Sequence, residues 1–199
     1  MAAFLFYTLI FPGFLFQFVC GWFFEWFDRK LLARTQRRVG PRWYQPFADL
    51  LKLFSKEDLL PTGTPAVVAA ALPLLSLCAV LTAGMYVPIA NLHLFAFEGD
   101  LIVILFLLSI PTLAYYLAGI TSVGIYSVLG GARSILQYFS YEIPLLMALS
   151  GSAILAGSWS IQGIVDAQLG SHPFILFQPL AFLLAVIGLI GKLKREIGR

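Results

Sequence analysis

A chain of 199 residues that is 60% hydrophobic, 12% charged and has a mean hydropathy of +0.88 does not fit a water-soluble globular domain, because soluble chains carry roughly 25% charged residues. The formal charge of +3 comes from 13 Lys and Arg against 10 Asp and Glu, and the basic residues are gathered in a few places rather than spread over a surface. No nucleic-acid partner is expected, and the chain reads as an integral membrane protein whose partners include the lipid bilayer.

In chain order, the first apolar run, Phe4–Phe27, lacks a basic leader and a small-residue cleavage site. It is also too long for the core of a signal peptide, so it is read as a retained span. The loop from Asp28 to Pro61 then carries eight of the 13 basic residues: Arg29, Lys30, Arg34, Arg37, Arg38, Arg42, Lys52 and Lys56. Its second half predicts an amphipathic helix over about Tyr44–Lys56, with Phe47, Leu50, Leu51 and Phe54 on one face and Asp49, Lys52 and Lys56 on the other. Such a helix can lie flat at the interface with its lysines snorkelling. Gly40-Pro41 and Gln45-Pro46 suggest instead a loop folded into a fixed shape, since proline fixes φ and biases its predecessor to extended backbone. Four more apolar runs follow, Thr64–Pro88, Leu101–Ser122, Arg133–Gly157 and Phe174–Leu193, each long enough to cross a bilayer. Membrane helices tolerate their prolines (Pro73, Pro111, Pro144 and Pro179) where neighbours satisfy the freed carbonyl. The expected fold is an all-α polytopic bundle of about five spans, forming a single integral membrane domain over residues 1–199.

Placing the 28–63 loop inside puts the 88–100 and 158–173 connections outside and the 122–132 turn inside. Arg133 and the tail residues Lys192, Lys194, Arg195 and Arg199 then fall inside as well. All 13 basic residues share one side, while the outer connections hold only Glu98, Asp100 and Asp166. The positive-inside rule predicts an outside N-terminus and a cytoplasmic basic loop in a multi-pass protein of the cell membrane.

Charged positions divide by what topology alone explains. Arg29 and Lys30 are accounted for as inner anchors; Asp28 is not. Arg34, Arg37, Arg38 and Arg42 suit either anionic lipid head groups or the carboxylates of a soluble partner, which arginine pairs bidentately. Glu142 lies within an apolar span, where a carboxylate costs about 3 kcal/mol, so it should face a water-filled path or a structural partner. Pro144 frees the carbonyl of Ser140, and Arg133, nine residues before Glu142, falls on the opposite helix side, nearer Gln137 and Ser140. A proton-relay role is favoured for Glu142. Asp100 opens a span and reads as its N-cap or dipole partner. Cys20 and Cys78 lie in apolar runs as packing residues, and His93 and His172 are isolated, so no metal or redox cofactor is expected on this chain.

Two stretches carry a family resemblance. The run DRK…R-x-Q-R-R-V-G-P…QPFADLLKLFSKE resembles the first inner loop of the membrane subunit that docks the peripheral arm of respiratory complex I. Related subunits of membrane-bound [NiFe] hydrogenases and sulfane reductases share it. Downstream, Gly131, Arg133, Gln137, Ser140, Tyr141 and Glu142 match the family's G-x-R-x-x-x-Q-x-x-S-Y-E pattern. The resemblance implies a non-catalytic-centre subunit of an oxidoreductase complex that couples electron transfer to H⁺ or Na⁺ movement. Iron–sulfur clusters, and in the hydrogenase branch a [NiFe] site, would sit in soluble partner subunits, with Mrp-antiporter-like subunits beside this one in the membrane. It places Asp28, Arg29, Arg34, Gln36, Arg37, Arg38, Arg42, Gln45 and Arg133 at the peripheral-arm interface, and Asp49, Lys56, Asp100 and Glu142 on the proton or ion path.

Only Arg42, Trp43 and Tyr44 separate Gly40-Pro41 from Gln45-Pro46. This short form is similar to the hydrogenase and sulfane-reductase branch, with a quinone-reducing complex as the alternative. A stand-alone secondary transporter would predict internal repeats, and none is visible. Family members continue past the stretch matching Lys192–Glu196 into an acidic loop and further helices, so a naturally split subunit or a fragment is expected.

Overall fold

The computed structural model describes residues 2–11, 13–57, 59–89, 97–170 and 173–197. His93, His172, Asp58 and Arg199 lie outside them, as do the side chains of Lys192, Lys194 and Arg195. The chain forms two compact units, Met1–Leu60 and Pro61–Arg199, and no β-strand occurs among the described residues.

The first unit holds α1 (Ala2–Leu9), α2 (Phe14–Thr35) and α3 (Gln45–Phe54). α2 continues eight residues beyond the expected end at Phe27, because Lys30, Leu31, Leu32, Ala33 and Arg34 are good helix formers and no Gly or Pro intervenes before Gly40. The first part of the expected inner loop is therefore helical. α2 ends in a Schellman turn, in which the Arg38 amide donates to the Ala33 carbonyl at 2.7 Å and the Arg37 amide to that of Arg34 at 3.0 Å. Arg37 occupies the left-handed position, φ 57°, where glycine is usual. α3 is the expected amphipathic helix with closer bounds, and Phe47, Leu51 and Phe54 leave its apolar stripe exposed.

The second unit comprises α4 (Ala66–Tyr86), α5 (Asp100–Thr121), α6 (Ile125–Ala156), α7 (Ile161–Gly170), a 3₁₀ turn (Phe174–Leu176) and α8 (Pro179–Ile197). α5 packs between α4 and α6, and α6 also packs on α8. Leu101, Leu105, Ala153 and Ile164 form a buried cluster that ties α5, α6 and α7 together. Elsewhere large apolar side chains face outward, among them Leu136, Ile154 and Leu180, as helices surrounded by lipid require.

Two expectations need correction. α6 begins at Ile125, not Arg133, so the connection after α5 shrinks to Ser122–Gly124. The Gly130-Gly131 pair belongs to the helix: a Cβ on Gly131 would lie 3.2 Å from the Tyr116 carbonyl oxygen, so glycine is what lets α6 cross α5 closely. Arg133 accordingly stands two turns inside α6. The 158–173 connection contains α7, whose signal was present in the helical spacing of Ile161, Ile164, Val165 and Leu169.

Among the described residues four helical segments are long and apolar enough to cross a membrane: Phe6–Thr35, Ala66–Tyr86, Asp100–Thr121 and Ile125–Ala156. The fifth expected span falls on α8, whose described side chains form an apolar stretch over Pro179–Ile190.

Candidate functional site

Within the first unit the shaped loop is held against α2 by three kinds of contact. Arg29 donates to Asp49 Oδ2 at 2.7 Å and to Glu25 one turn back, so one guanidinium links α2 to α3. The Trp26 indole N–H donates to the Pro41 carbonyl at 3.3 Å. Trp22 packs at 5.8 Å from Trp43 and 6.3 Å from Phe47, ring centre to ring centre. The loop passes so near α2 at Gly40 that a Cβ there would meet Lys30 Cα at 3.0 Å. Gln45 opens α3, its amide donating to the Arg42 carbonyl at 3.0 Å, and Pro46 behind it is buried.

This geometry redistributes the sequence's groupings. Asp49 and Arg29, assigned to different roles, form one ion pair. Arg42 donates to the Tyr44 hydroxyl at 3.0 Å. Gln36, Arg37 and Arg38 are exposed at the α2 C-terminus, Asp28 is exposed on α2, and Lys56 is exposed beyond α3. Among the described residues Arg37, Arg38 and Arg42 have no carboxylate partner.

In the second unit Glu142 is 5% exposed and lies about 26 Å along α6 from its start. Tyr138, one turn earlier and also buried, lies on the same helix side as Glu142 and lines one cavity with it and Ser109 of α5. This cavity, of about 390 Å³, lies between α5 and α6, with Ser150, Met147 and Trp159 among its other walls and Glu142 the only charged wall among the described residues. Gln137 and Ser140 are exposed with Arg133 on the far side of the helix. Sequence reasoning missed Tyr138 and Ser109. Tyr138 was findable, four residues before Glu142 and so on its face; Ser109 was not, because its register comes from the α5–α6 packing.

Asp100 does not cap its own helix, whose N-cap is Gly99. It is 1% exposed, and its Oδ1 accepts the amide of Ile161, the first residue of α7, at 2.8 Å. It thus satisfies one of the donors that every helix start leaves open.

A family model described as NADH dehydrogenase matches residues 7–196. The chain belongs to this family. It is 36% identical over 198 residues to an NADH-quinone oxidoreductase subunit of Thermomicrobium roseum, covering 87% of this chain and 58% of the relative. With the corresponding subunit of Dehalococcoides mccartyi it shares 34% identity over 95% of this chain and 54% of the relative. Among solved structures, a chain of the membrane-bound sulfane sulfur reductase, an archaeal respiratory membrane complex, superposes with a TM-score of 0.76 at 31% identity, over 87% of this chain and 57% of that one. The chain therefore spans somewhat over half the length of the relatives it matches.

Proposed function

We propose that this chain is the membrane anchor of a complex I-like oxidoreductase, receiving a soluble iron–sulfur arm at its basic loop and passing the energy of electron transfer to ion movement through Glu142. The observation that carries the reading is the buried Glu142 on the membrane-spanning α6, lining one cavity with Tyr138 of the same helix and Ser109 of α5. A carboxylate there has a cost that a purely structural helix has no reason to bear. Arg37, Arg38 and Arg42, without carboxylates of their own, suit an acidic face on the arm. The Arg29–Asp49 link and the aromatic contacts around Trp22 hold the loop ready to receive it.

Electron carriers would lie in the partner subunits. An electron arriving near the basic loop adds negative charge and favours the protonated form of carboxylates reached through the low-dielectric interior; its departure releases the proton. Tyr138 and Ser109 line the cavity beside Glu142, which has room for water to deliver the proton. The short loop and the sulfane sulfur reductase neighbour favour protons or sulfur compounds over quinone as the terminal acceptor. The names of the curated relatives favour quinone.

Glu142→Gln tests the core of the reading. The assembled complex should keep its electron-transfer rate with an artificial acceptor and lose ion pumping. Intact pumping in an assembled variant refutes a relay through Glu142.

A further inference from the structure

Lys30 and Arg34 do not share the surroundings of the loop arginines. They lie on α2, where Phe23, Phe27, Lys30 and Arg34 fall within about 60° of one another around the helix, while Glu25 and Arg29 occupy the opposite side. Phe23, Trp26, Phe27, Lys30, Leu31 and Arg34 line a groove of about 510 Å³. Its apolar walls are bare, with Phe23 58%, Phe27 49% and Leu31 50% exposed. The groove runs about 16 Å along the helix and carries both of its charges at one end.

The two cations are held differently from Arg29. Among the described residues neither has a carboxylate partner, since Glu25 and Asp49 are both taken by Arg29. The Lys30 ammonium instead rests 4.6 Å over the Trp26 ring. That ring is fixed in turn by its hydrogen bond to the Pro41 carbonyl, so the shaped loop supports one wall of the groove.

We infer that this groove is a binding site for an anionic phospholipid, its acyl chain along Phe23, Phe27 and Leu31 and its phosphate between Lys30 and Arg34. The match is one of charge and shape together: a long apolar wall that ends in two uncompensated cations, on the end of a membrane-spanning segment where head groups lie. A zwitterionic lipid carries its own cation and would gain less from the pair. The inference rests on the membrane span and not on the coupling role, because lipid occupancy is read without turnover.

The test uses the protein purified from its membranes in mild detergent, stripped of lipid and returned to nanodiscs of phosphatidylglycerol or of phosphatidylcholine. Bound lipid is counted by native mass spectrometry, and a photoreactive amino acid at position 27 reports what touches the groove. Retention of phosphatidylglycerol should fall about twenty- to thirtyfold in Lys30→Gln/Arg34→Gln, from the worth of two cations near a membrane surface. The charge-keeping exchange Lys30→Arg/Arg34→Lys and the exposed control Lys52→Gln should both retain it. Unchanged retention in the double Gln variant overturns the site, and so does equal retention of phosphatidylcholine. A crosslink from position 27 to a protein rather than to lipid assigns the groove to a partner and also overturns it.

Discussion

Two glycines eleven residues apart should respond in opposite directions to the same substitution. A Cβ on Gly119 would lie 2.8 Å from the Ser127 carbonyl oxygen and 3.0 Å from Gly131 Cα, all backbone that no rotamer change can move. Opening the shorter contact to the 3.4 Å of ordinary contact moves α6 away from α5 by 3.4 − 2.8 = 0.6 Å, enough to forfeit about a quarter of the dispersion well along the seam. Gly119→Ala should cost about 1–3 kcal/mol by overpacking, less the ~1 kcal/mol that alanine gains over glycine in a helix. A Cβ on Gly130 meets nothing within 4 Å, so Gly130→Ala keeps the gain alone. The difference between the two variants cancels propensity and isolates the collision at about 1–3 kcal/mol. Thermal unfolding in mild detergent should therefore place Gly119→Ala below the parent and Gly130→Ala at or above it. Equal midpoints for the two variants would refute close backbone approach as the reason for these glycines.

Three further outcomes are expected. Arg37→Gly relieves a left-handed arginine and should stabilise the chain by about 1 kcal/mol while weakening capture of the soluble arm in pull-downs; a lowered unfolding midpoint would contradict the first half. Asp100→Ala leaves the Ile161 amide without its acceptor, at about 1–3 kcal/mol, and should speed hydrogen exchange across Ile161–Gly170, whereas Asp100→Asn, which keeps an acceptor oxygen, should exchange nearly as the parent does. A double-mutant cycle on Arg29 and Asp49, whose side chains are 43% and 39% exposed, should give a coupling below about 1 kcal/mol; a larger value would mean that the pair organises more than the α2–α3 contact.

What could be read in the sequence followed from local rules. A carboxylate deep in an apolar run announces itself by its cost, and Glu142 is buried as that cost required. The amphipathic period of α3 and the prolines around it anticipated a folded loop rather than a tether. What escaped depended on distant chain. Nothing local tells Asp49 that its partner is Arg29, twenty residues back, or Asp100 that its acceptor serves a helix sixty-one residues on. The start of α6 was misplaced for a related reason. Paired glycines signal a turn in isolation, and only the facing glycine of α5 reveals that they are helical and serve a crossing.

The Asp100–Ile161 hydrogen bond also sets an order of events in biogenesis. Its two ends bracket the whole of α5 and α6, so it cannot close until both helices have been laid into the membrane and brought side by side. Until then the α7 amide can turn only to water, and the entropy of closing so long a loop must already have been met by the α5–α6 seam. The clasp is thus a late event, and protection of α7 marks a hairpin that has finished inserting.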